Sequence, residues 1–162
     1  MLKLLLHALL LVSLFILSGC SIKHEIISSK AYLVTIKTPQ IALSDTGFLN
    51  QADGYTQLQV FNAGSLLFNL EMTHEICLNG RCLEKREFNK YFFGVEHYET
   101  LMNDIIDKKE LYSGQNRVAI AEGFSQEIYF KNADIVYKIE GDTRSFKDSK
   151  NGVLIRLKPL QP

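Results

Sequence analysis

Apolar and polar residues alternate along most of the chain after Lys30. An apolar residue at every second position is the period of a β-strand that buries one face. The clearest alternating sets are Tyr32, Val34 and Ile36; Leu66, Phe68, Leu70 and Met72; Ile135, Tyr137 and Ile139; and Val153, Ile155 and Leu157. Further strands are predicted at 57–61, 81–87, 117–121, 127–131 and 143–147. The pattern therefore predicts a mainly β fold.

Short turn sequences separate these strands. They contain residue pairs that favour tight turns, such as Asp53-Gly54, Asn79-Gly80, Gly141-Asp142 and Asn151-Gly152. Successive strands with short connections pair antiparallel, because a parallel pair needs a long crossover. The strands are therefore predicted to form a meander-like antiparallel sheet.

One segment in the middle of the chain departs from this alternation. Its apolar residues recur at spacings of three, four and seven, which indicates an amphipathic helix at about 95–109. They are Val95, Tyr98, Leu101, Met102, Ile105 and Ile106, and a cluster of aromatic residues at 88–93 comes just before them. The pattern leaves open whether this helix fills the core of the sheet or forms a lid over a hydrophobic groove.

The N-terminus has the layout of a cleaved secretory signal. Lys3 precedes an apolar run over residues 4–17, which ends in the small residues of Leu17-Ser18-Gly19-Cys20. About 14 residues are too few for a transmembrane helix, which needs roughly 20. The sequence Leu17-Ser18-Gly19-Cys20 resembles the lipobox of bacterial lipoproteins, in which signal peptidase cuts before the cysteine and the thiol carries a diacylglyceryl group.

The lipobox resemblance implies a lipid-anchored protein of the bacterial cell envelope. It makes residues 1–19 the signal peptide, Cys20 the lipidated residue, 20–30 a polar tether and 31–162 a single domain. In lipoproteins of this type an Asp after the cysteine commonly signals retention in the inner membrane, so Ser21 favours the outer membrane. The implied partner is the membrane, through the N-terminal lipid.

The charge balance excludes one class of partner. The chain has 18 Lys and Arg against 18 Asp and Glu, so its formal net charge is zero. It has no block of basic residues and no basic stripe interleaved with aromatic residues, which are the features of nucleic-acid binders. Nucleic acid is therefore not an expected partner.

Cys77 and Cys82 flank the predicted turn Leu78-Asn79-Gly80-Arg81. Asn-Gly favours a type I′ hairpin turn, because both residues tolerate positive φ. Residues that face each other in a non-hydrogen-bonded pair lie about 4.5 Å apart at Cα, which a disulfide accepts. The pair is not spaced as C-x-x-C and no second cysteine pair exists, so a metal site or redox dithiol has no support. The spacing predicts a structural disulfide that fixes the hairpin register.

No catalytic constellation stands out in the sequence. His74-Glu75 begins like the zinc motif H-E-x-x-H, but Leu78 occupies the place of the second histidine. The chain has no G-x-S-x-G elbow, no phosphate-cradling glycine loop and no G-x-G-x-x-G. We therefore expect a protein that is not an enzyme, with no catalytic residues, no metal and no cofactor.

Three groups of segments follow one another in an order that occurs in a known family. Gly47-Phe48-Leu49, 57–61 and 66–72 come first, 98–111 follows, and Phe124-Ser125-Gln126, 134–139 and 153–157 come last. This order resembles the periplasmic lipoprotein carrier and its outer-membrane receptor, the LolA and LolB family. The resemblance implies an antiparallel open half-barrel with a helix packed on it as a lid. It also implies binding or transfer of lipid or lipoprotein acyl chains at the outer membrane, with those acyl chains or a periplasmic carrier as partner.

The chain also resembles the small immunoglobulin-like sandwich lipoproteins of campylobacters and helicobacters, since about nine short strands suit that fold too. That alternative implies a β-sandwich with a filled core that serves as a non-catalytic scaffold or adhesion module. A carrier instead needs an apolar concavity for acyl chains. The candidate lining consists of Leu58, Val60, Leu66, Phe68 and Leu70 from the sheet and Tyr98, Leu101 and Ile105 from the helix.

Overall fold

Eleven strands and two α-helices make up the computed structural model, which describes residues 24–160. The strands before the helices are β1 Ser28–Lys37, β2 Ala42–Ala52, β3 Tyr55–Asn62, β4 Ser65–Met72, β5 Glu75–Leu78 and β6 Arg81–Glu84. Helices α1 Lys85–Phe93 and α2 Leu101–Ile106 follow, with a 3-10 turn at Tyr112–Gly114. The closing strands are β7 Arg117–Ile120, β8 Gly123–Tyr129, β9 Asp134–Glu140, β10 Thr143–Asp148 and β11 Val153–Pro159.

All eleven strands belong to one antiparallel sheet with the order β6-β5-β4-β3-β2-β1-β11-β10-β9-β8-β7. The sheet is open, because β6 and β7 at its two ends do not pair with each other. This confirms the predicted mainly β fold, an open half-barrel with helical structure packed on it. The immunoglobulin-like sandwich is wrong, since it requires two sheets.

Two meanders meet at the centre of this sheet. Strands β1–β6 form one and β7–β11 the other, and they join where β1 pairs with β11 from Tyr32↔Pro159 to Lys37↔Leu154. The edge strands β6 and β7 are therefore consecutive strands of the chain but lie at opposite ends of the sheet. Residues 85–116, which we call the lid segment, connect these two edges.

The core lies on one face of the sheet, which we call the covered face. Alternate residues of the central strands are buried there, including Val34 at 0%, Tyr137 at 0% and Leu157 at 0% exposure. The lid segment packs on this face. Phe93 of α1 meets Phe146 of β10 with 5.4 Å between ring centroids, although α1 follows directly from β6 at the far edge. Helix α1 therefore contacts strands of both halves of the sheet, β5 and β6 in one and β10 in the other.

The predicted helix at 95–109 differs from the observed helices. Helix α2 covers only Leu101–Ile106, and the aromatic cluster at 88–93 lies on the separate helix α1. Gly94 ends α1 in the left-handed conformation with a φ of 79°, and the amide of Asn89 donates to the carbonyl oxygens of Tyr98 and Glu99. These two features hold residues 94–100 in a non-helical path, even though Val95 and Tyr98 fit a helical spacing.

Several strand boundaries also differ from the prediction. Strand β1 begins at Ser28, within the segment predicted as tether, and β6 ends at Glu84, where α1 starts. Strand β2 has no clear apolar alternation because Gly47 occupies a position on the covered face. A Cβ at Gly47 would lie 2.5 Å from the carbonyl oxygen of Gln59, so the close approach of β2 and β3 requires glycine there.

The N-terminal predictions lie mostly outside the described residues. The lipobox, Cys20 and the beginning of the tether fall among residues 1–23. Within residues 24–160, no helix is both long and apolar enough to cross a membrane.

The predicted disulfide between Cys77 and Cys82 is confirmed. The two residues face each other in the β5–β6 hairpin, with 3.9 Å between their Cα atoms. Asn79 and Gly80 have φ values of 49° and 84°, as a type I′ turn requires. Since β6 is an edge strand of four residues, the disulfide fixes the register of the hairpin from which α1 continues.

Reduction of this disulfide should lower the free energy of unfolding by only about 2 kcal/mol, because the closed loop is short. Urea denaturation of the oxidised and reduced protein measures the difference. The double variant Cys77→Ser/Cys82→Ser should match the reduced protein. Two free thiols in the oxidised protein, or global unfolding on reduction, would contradict this role.

Candidate functional site

The candidate site is the interface between the covered face and the lid segment. Most of the predicted lining residues meet there. Six side chains are at most 1% exposed and belong to one core cluster: Leu58, Val60, Phe68, Leu70, Leu101 and Ile105. Tyr98 is partly buried against the same cluster, and its ring centroid lies 4.7 Å from that of Tyr112. The structure thus brings seven of the eight residues together, and their role as a ligand lining stays a prediction.

Leu66 lies apart from this group. It is 48% exposed at the start of β4, next to the β3–β4 turn, and the neighbouring Leu67 is 50% exposed. The register between β3 and β4 shifts between Val60 and Phe61, so the strict alternation of β4 breaks down at this end of the strand. Leu66 therefore belongs to an exposed apolar tip of the hairpin.

A buried arginine attaches α2 to the sheet. Arg144 on β10 is 2% exposed, and one of its Nη atoms donates to the carbonyl oxygen of Ile106, the last residue of α2. Its other Nη donates to the hydroxyl of Tyr32 over 2.9 Å. Arginine is suited to this position because its planar guanidinium presents several donors in a fixed geometry. The sequence pattern could have identified Arg144. It precedes Phe146 by two residues on the same strand, and alternate residues of a strand share a face.

Gln126 on β8 makes a second attachment. Its side chain is 1% exposed, donates to the carbonyl oxygens of Leu111 and Gln115, and accepts from the backbone N–H of Leu111 over 2.8 Å. Tyr137 on β9 adds a longer bond of 3.4 Å from its hydroxyl to the carbonyl oxygen of Asp104. Each of these bonds reaches the backbone of the lid segment, where buried polar groups need partners.

The hydrogen bonds that hold the lid segment to the sheet are distributed unevenly. They come from β8, β9, β10 and the β9–β10 turn, where the ammonium of Lys108 contacts the Asp142 carboxylate at 2.5 Å. Glu110 also forms an ion pair with Arg117 of β7 at 2.5 Å. Helix α1 packs beside β5 and β6. Among the residues that the structure describes, no hydrogen bond joins the side chains of α1 to β1–β6. One end of the lid segment is thus fixed by polar bonds and the other by apolar packing and the chain connection to β6.

His97 lies in the loop between the helices and is 6% exposed. Its Nδ1 is 2.6 Å from the hydroxyl of Tyr112, and its ring packs edge-on against Phe93. Burial lowers the pKa of His97, and the negative charge of Asp148 opposes this shift. Burial likewise raises the pKa of Tyr112 to about 12. Both rings are therefore neutral in the folded protein at neutral pH.

Metal ligands do not converge in the described part of the chain: within 24–160, no three side chains of His, Cys, Asp or Glu form a group that could hold a metal ion. No protein-family model matches this chain, and no curated protein matches it. The candidate site consists of apolar packing with a few buried hydrogen bonds.

The buried His97 should make the protein less stable in mild acid. Because its folded pKa is lowered, its contribution to stability is present above the unfolded pKa of about 6.5 and is lost as the pH falls through the folded value. Urea unfolding at about pH 7.5 and about pH 5 measures this loss.

The variant His97→Gln should lose less stability between those two pH values than the unmutated protein. The matched control is His74→Gln, since His74 has an exposed side chain and lies outside the core. An equal pH dependence in His97→Gln and the unmutated protein would contradict the assignment.

Proposed function

We propose that this chain is a lipoprotein anchored to the outer membrane that binds or hands over acyl chains of lipids or lipoproteins. The acyl chain would occupy the interface between the covered face and the lid segment. One observation carries the proposal: the lid segment crosses an apolar sheet face, but within residues 24–160 its polar bonds to the sheet go to the β7–β11 half alone.

The chemistry of the interface suits an acyl chain. The lid segment contributes buried apolar side chains to it, namely Phe88, Phe92, Phe93, Leu101, Met102, Ile105, Ile106 and Leu111. Apolar contacts are non-directional, and their free energy scales with the area removed from water. An acyl chain can therefore cover the sheet face that these side chains leave when the lid segment opens, whereas a polar ligand would leave buried groups without partners.

The exposed apolar tip of the β3–β4 hairpin supports the same function. Leu66 and Leu67 are about half exposed, and Leu66 pairs with Phe61 of β3. Phe48 on β2 is 41% exposed and packs edge-on against Phe61. Contiguous exposed apolar side chains are typical of surfaces that contact an apolar partner or a membrane. A protein that hands over acyl chains needs such a contact.

A scaffold or adhesion function is the second candidate, and the filled core favours it. The side chains predicted to line a ligand site are already buried against each other in the described structure. If the lid segment is a permanent part of the core, the protein acts through its outer surface. The two functions differ in whether the lid segment can separate from the sheet while the rest of the domain stays folded.

Substitutions of matched isoleucines distinguish these functions. Ile105 on α2 and Ile155 on β11 are 0% and 1% exposed. Ile155→Ala should lower the free energy of unfolding by about 2–5 kcal/mol, the usual cost of this change in a core. Ile105→Ala should lower the free energy of unfolding by less than Ile155→Ala and should increase hydrogen exchange in the lid segment. The reason is that a destabilised lid segment opens locally while the rest of the domain stays folded. Leu101→Ala should behave like Ile105→Ala.

The same variants are tested for binding of a neutral fluorescent acyl ester. The unmutated protein should bind it saturably. Ile105→Ala and Leu101→Ala should weaken binding, and Ile155→Ala, which lies outside the predicted lining, should weaken it less at a temperature where the variant is folded. Equal destabilisation by Ile105→Ala and Ile155→Ala, together with no saturable binding, would reject the carrier and leave the scaffold.

The anchor has its own test. Cys20→Ala should abolish incorporation of a fatty-acid label in the host and leave the precursor uncleaved, because the thiol that carries the lipid is missing. The control is Cys77→Ala/Cys82→Ala, which removes two thiols and should keep the label. Labelling of Cys20→Ala at the unmutated intensity would refute the anchor.

A further inference from the structure

A polar cavity of about 350 Å³ opens where α2 ends against the sheet. Its walls come from β1 and β2, from β10 with the preceding turn, and from the end of α2 with the residues that follow it. The ionisable residues in these walls are Lys30, Lys108, Lys109 and Arg144 against Asp107 and Asp142, a net charge of +2. The whole chain is neutral, so this cavity concentrates positive charge.

The two carboxylates of the cavity are already engaged by lysines. Asp142 lies 3.0 Å from the ammonium of Lys30 and 2.5 Å from that of Lys108. Hydrogen bonds from these two ammonium groups hold the pKa of Asp142 at about 2, with that of Lys108 the larger cause. Asp107 pairs with Lys109 at 3.2 Å. Neither carboxylate is left to neutralise the arginine.

Within residues 24–160, Arg144 is a cation of the cavity that has no counter-ion. Its hydrogen-bond partners are the carbonyl oxygen of Ile106 and the hydroxyl of Tyr32, both uncharged. Its Nε is buried and has no hydrogen-bond partner within the described range 24–160. A buried charge without an opposite charge is costly, so a site of this kind favours an anion.

Tyr32 provides a second free donor in the same wall. It is 1% exposed, and its hydroxyl accepts the bond from Arg144 over 2.9 Å. No residue from 24 to 160 accepts the proton of that hydroxyl. The hydroxyl can therefore donate to a bound group, and donors from β1, β10 and the end of α2 then face one cavity.

We propose that this cavity binds a phosphate group. A phosphate offers several acceptor oxygens and negative charge to the guanidinium, ammonium and hydroxyl donors, and charge-assisted bonds of this type are the strongest hydrogen bonds in proteins. The group can belong to a phospholipid headgroup or to free phosphate. The proposal does not depend on acyl binding, since none of these donors lies in the predicted acyl lining.

Calorimetric titration of the full chain with inorganic phosphate at constant ionic strength tests the site. Saturable binding with a dissociation constant below about 10 mM is expected. Lys108→Gln and Lys30→Gln should each weaken it about tenfold, as expected for the loss of a charge-assisted bond. Asp142→Asn should tighten it, because it removes the carboxylate that competes for both lysines.

The matched control is Lys147→Gln, which removes one positive charge from the opposite face of β10 and should leave phosphate binding unchanged. No saturable binding, or equal weakening in Lys147→Gln and Lys108→Gln, would overturn the proposal. If these lysines had a purely structural role, Asp142→Asn would not bind phosphate more tightly. Unchanged or weaker phosphate binding in Asp142→Asn therefore also counts against the phosphate site.

Two further titrants identify the source of the phosphate. Short-chain phosphatidylglycerol should bind more tightly than inorganic phosphate if the group is a lipid headgroup, and about equally if it is free phosphate. The phosphate-free diacylglycerol of the same chain length should lose this binding. If it binds as well as the phospholipid and inorganic phosphate does not bind, the acyl function stands and the phosphate site is refuted.

Discussion

Strand β1 pairs with β11 over the register from Tyr32↔Pro159 to Lys37↔Leu154, and this one seam joins two meanders into a single sheet. Because the seam lies at the centre, β6 and β7 become the two edges. The chain between them has to return across the sheet, and the face it crosses is the apolar one. The lid segment is thus a consequence of topology, and its apolar character follows from the face that it must cover.

The return across the sheet creates a hydrogen-bonding problem that buried polar side chains solve. Residues 94–100 and 107–116 are largely irregular, and buried backbone groups in such segments lack the partners that a helix or strand supplies. Arg144 and Gln126 donate from the sheet to carbonyl oxygens of the lid segment, and Asn89 does the same from within it. These buried polar residues interrupt the apolar face because each buried carbonyl group left without a partner would cost about 1–3 kcal/mol.

Strands were predictable from the sequence where one face is strictly apolar, as in β1, β4, β9 and β11, and the Cys77–Cys82 hairpin followed from local turn chemistry. The apolar alternation did not predict strand β2, because Gly47 occupies a position on the covered face without an apolar side chain. The predicted helix boundaries were wrong, because the helical spacing of apolar residues continues through residues 95–100. There Gly94 and the amide of Asn89 hold the chain in a non-helical path. In the site, alternation placed Phe68 and Leu70 correctly, but the shift after Val60 moved Leu66 out. Such shifts depend on strand pairing, which alternation does not encode.

The uneven attachment of the lid segment gives any opening a direction. Separating α2 and the 3-10 turn from β8–β10 would break buried hydrogen bonds, including those of Gln126 and Arg144, and each group left unpaired costs about 1–3 kcal/mol. Separating α1 from β5 and β6 exposes apolar surface, and an acyl chain that enters there covers this surface again. Under the proposed function, the ligand therefore enters on the side of α1, while the end of α2 stays fixed. The polar bonds then locate the hinge at Ile106, and the part that moves is α1 together with the chain up to Ile105. Leu101 and Ile105 therefore separate from the sheet with the aromatic cluster of α1.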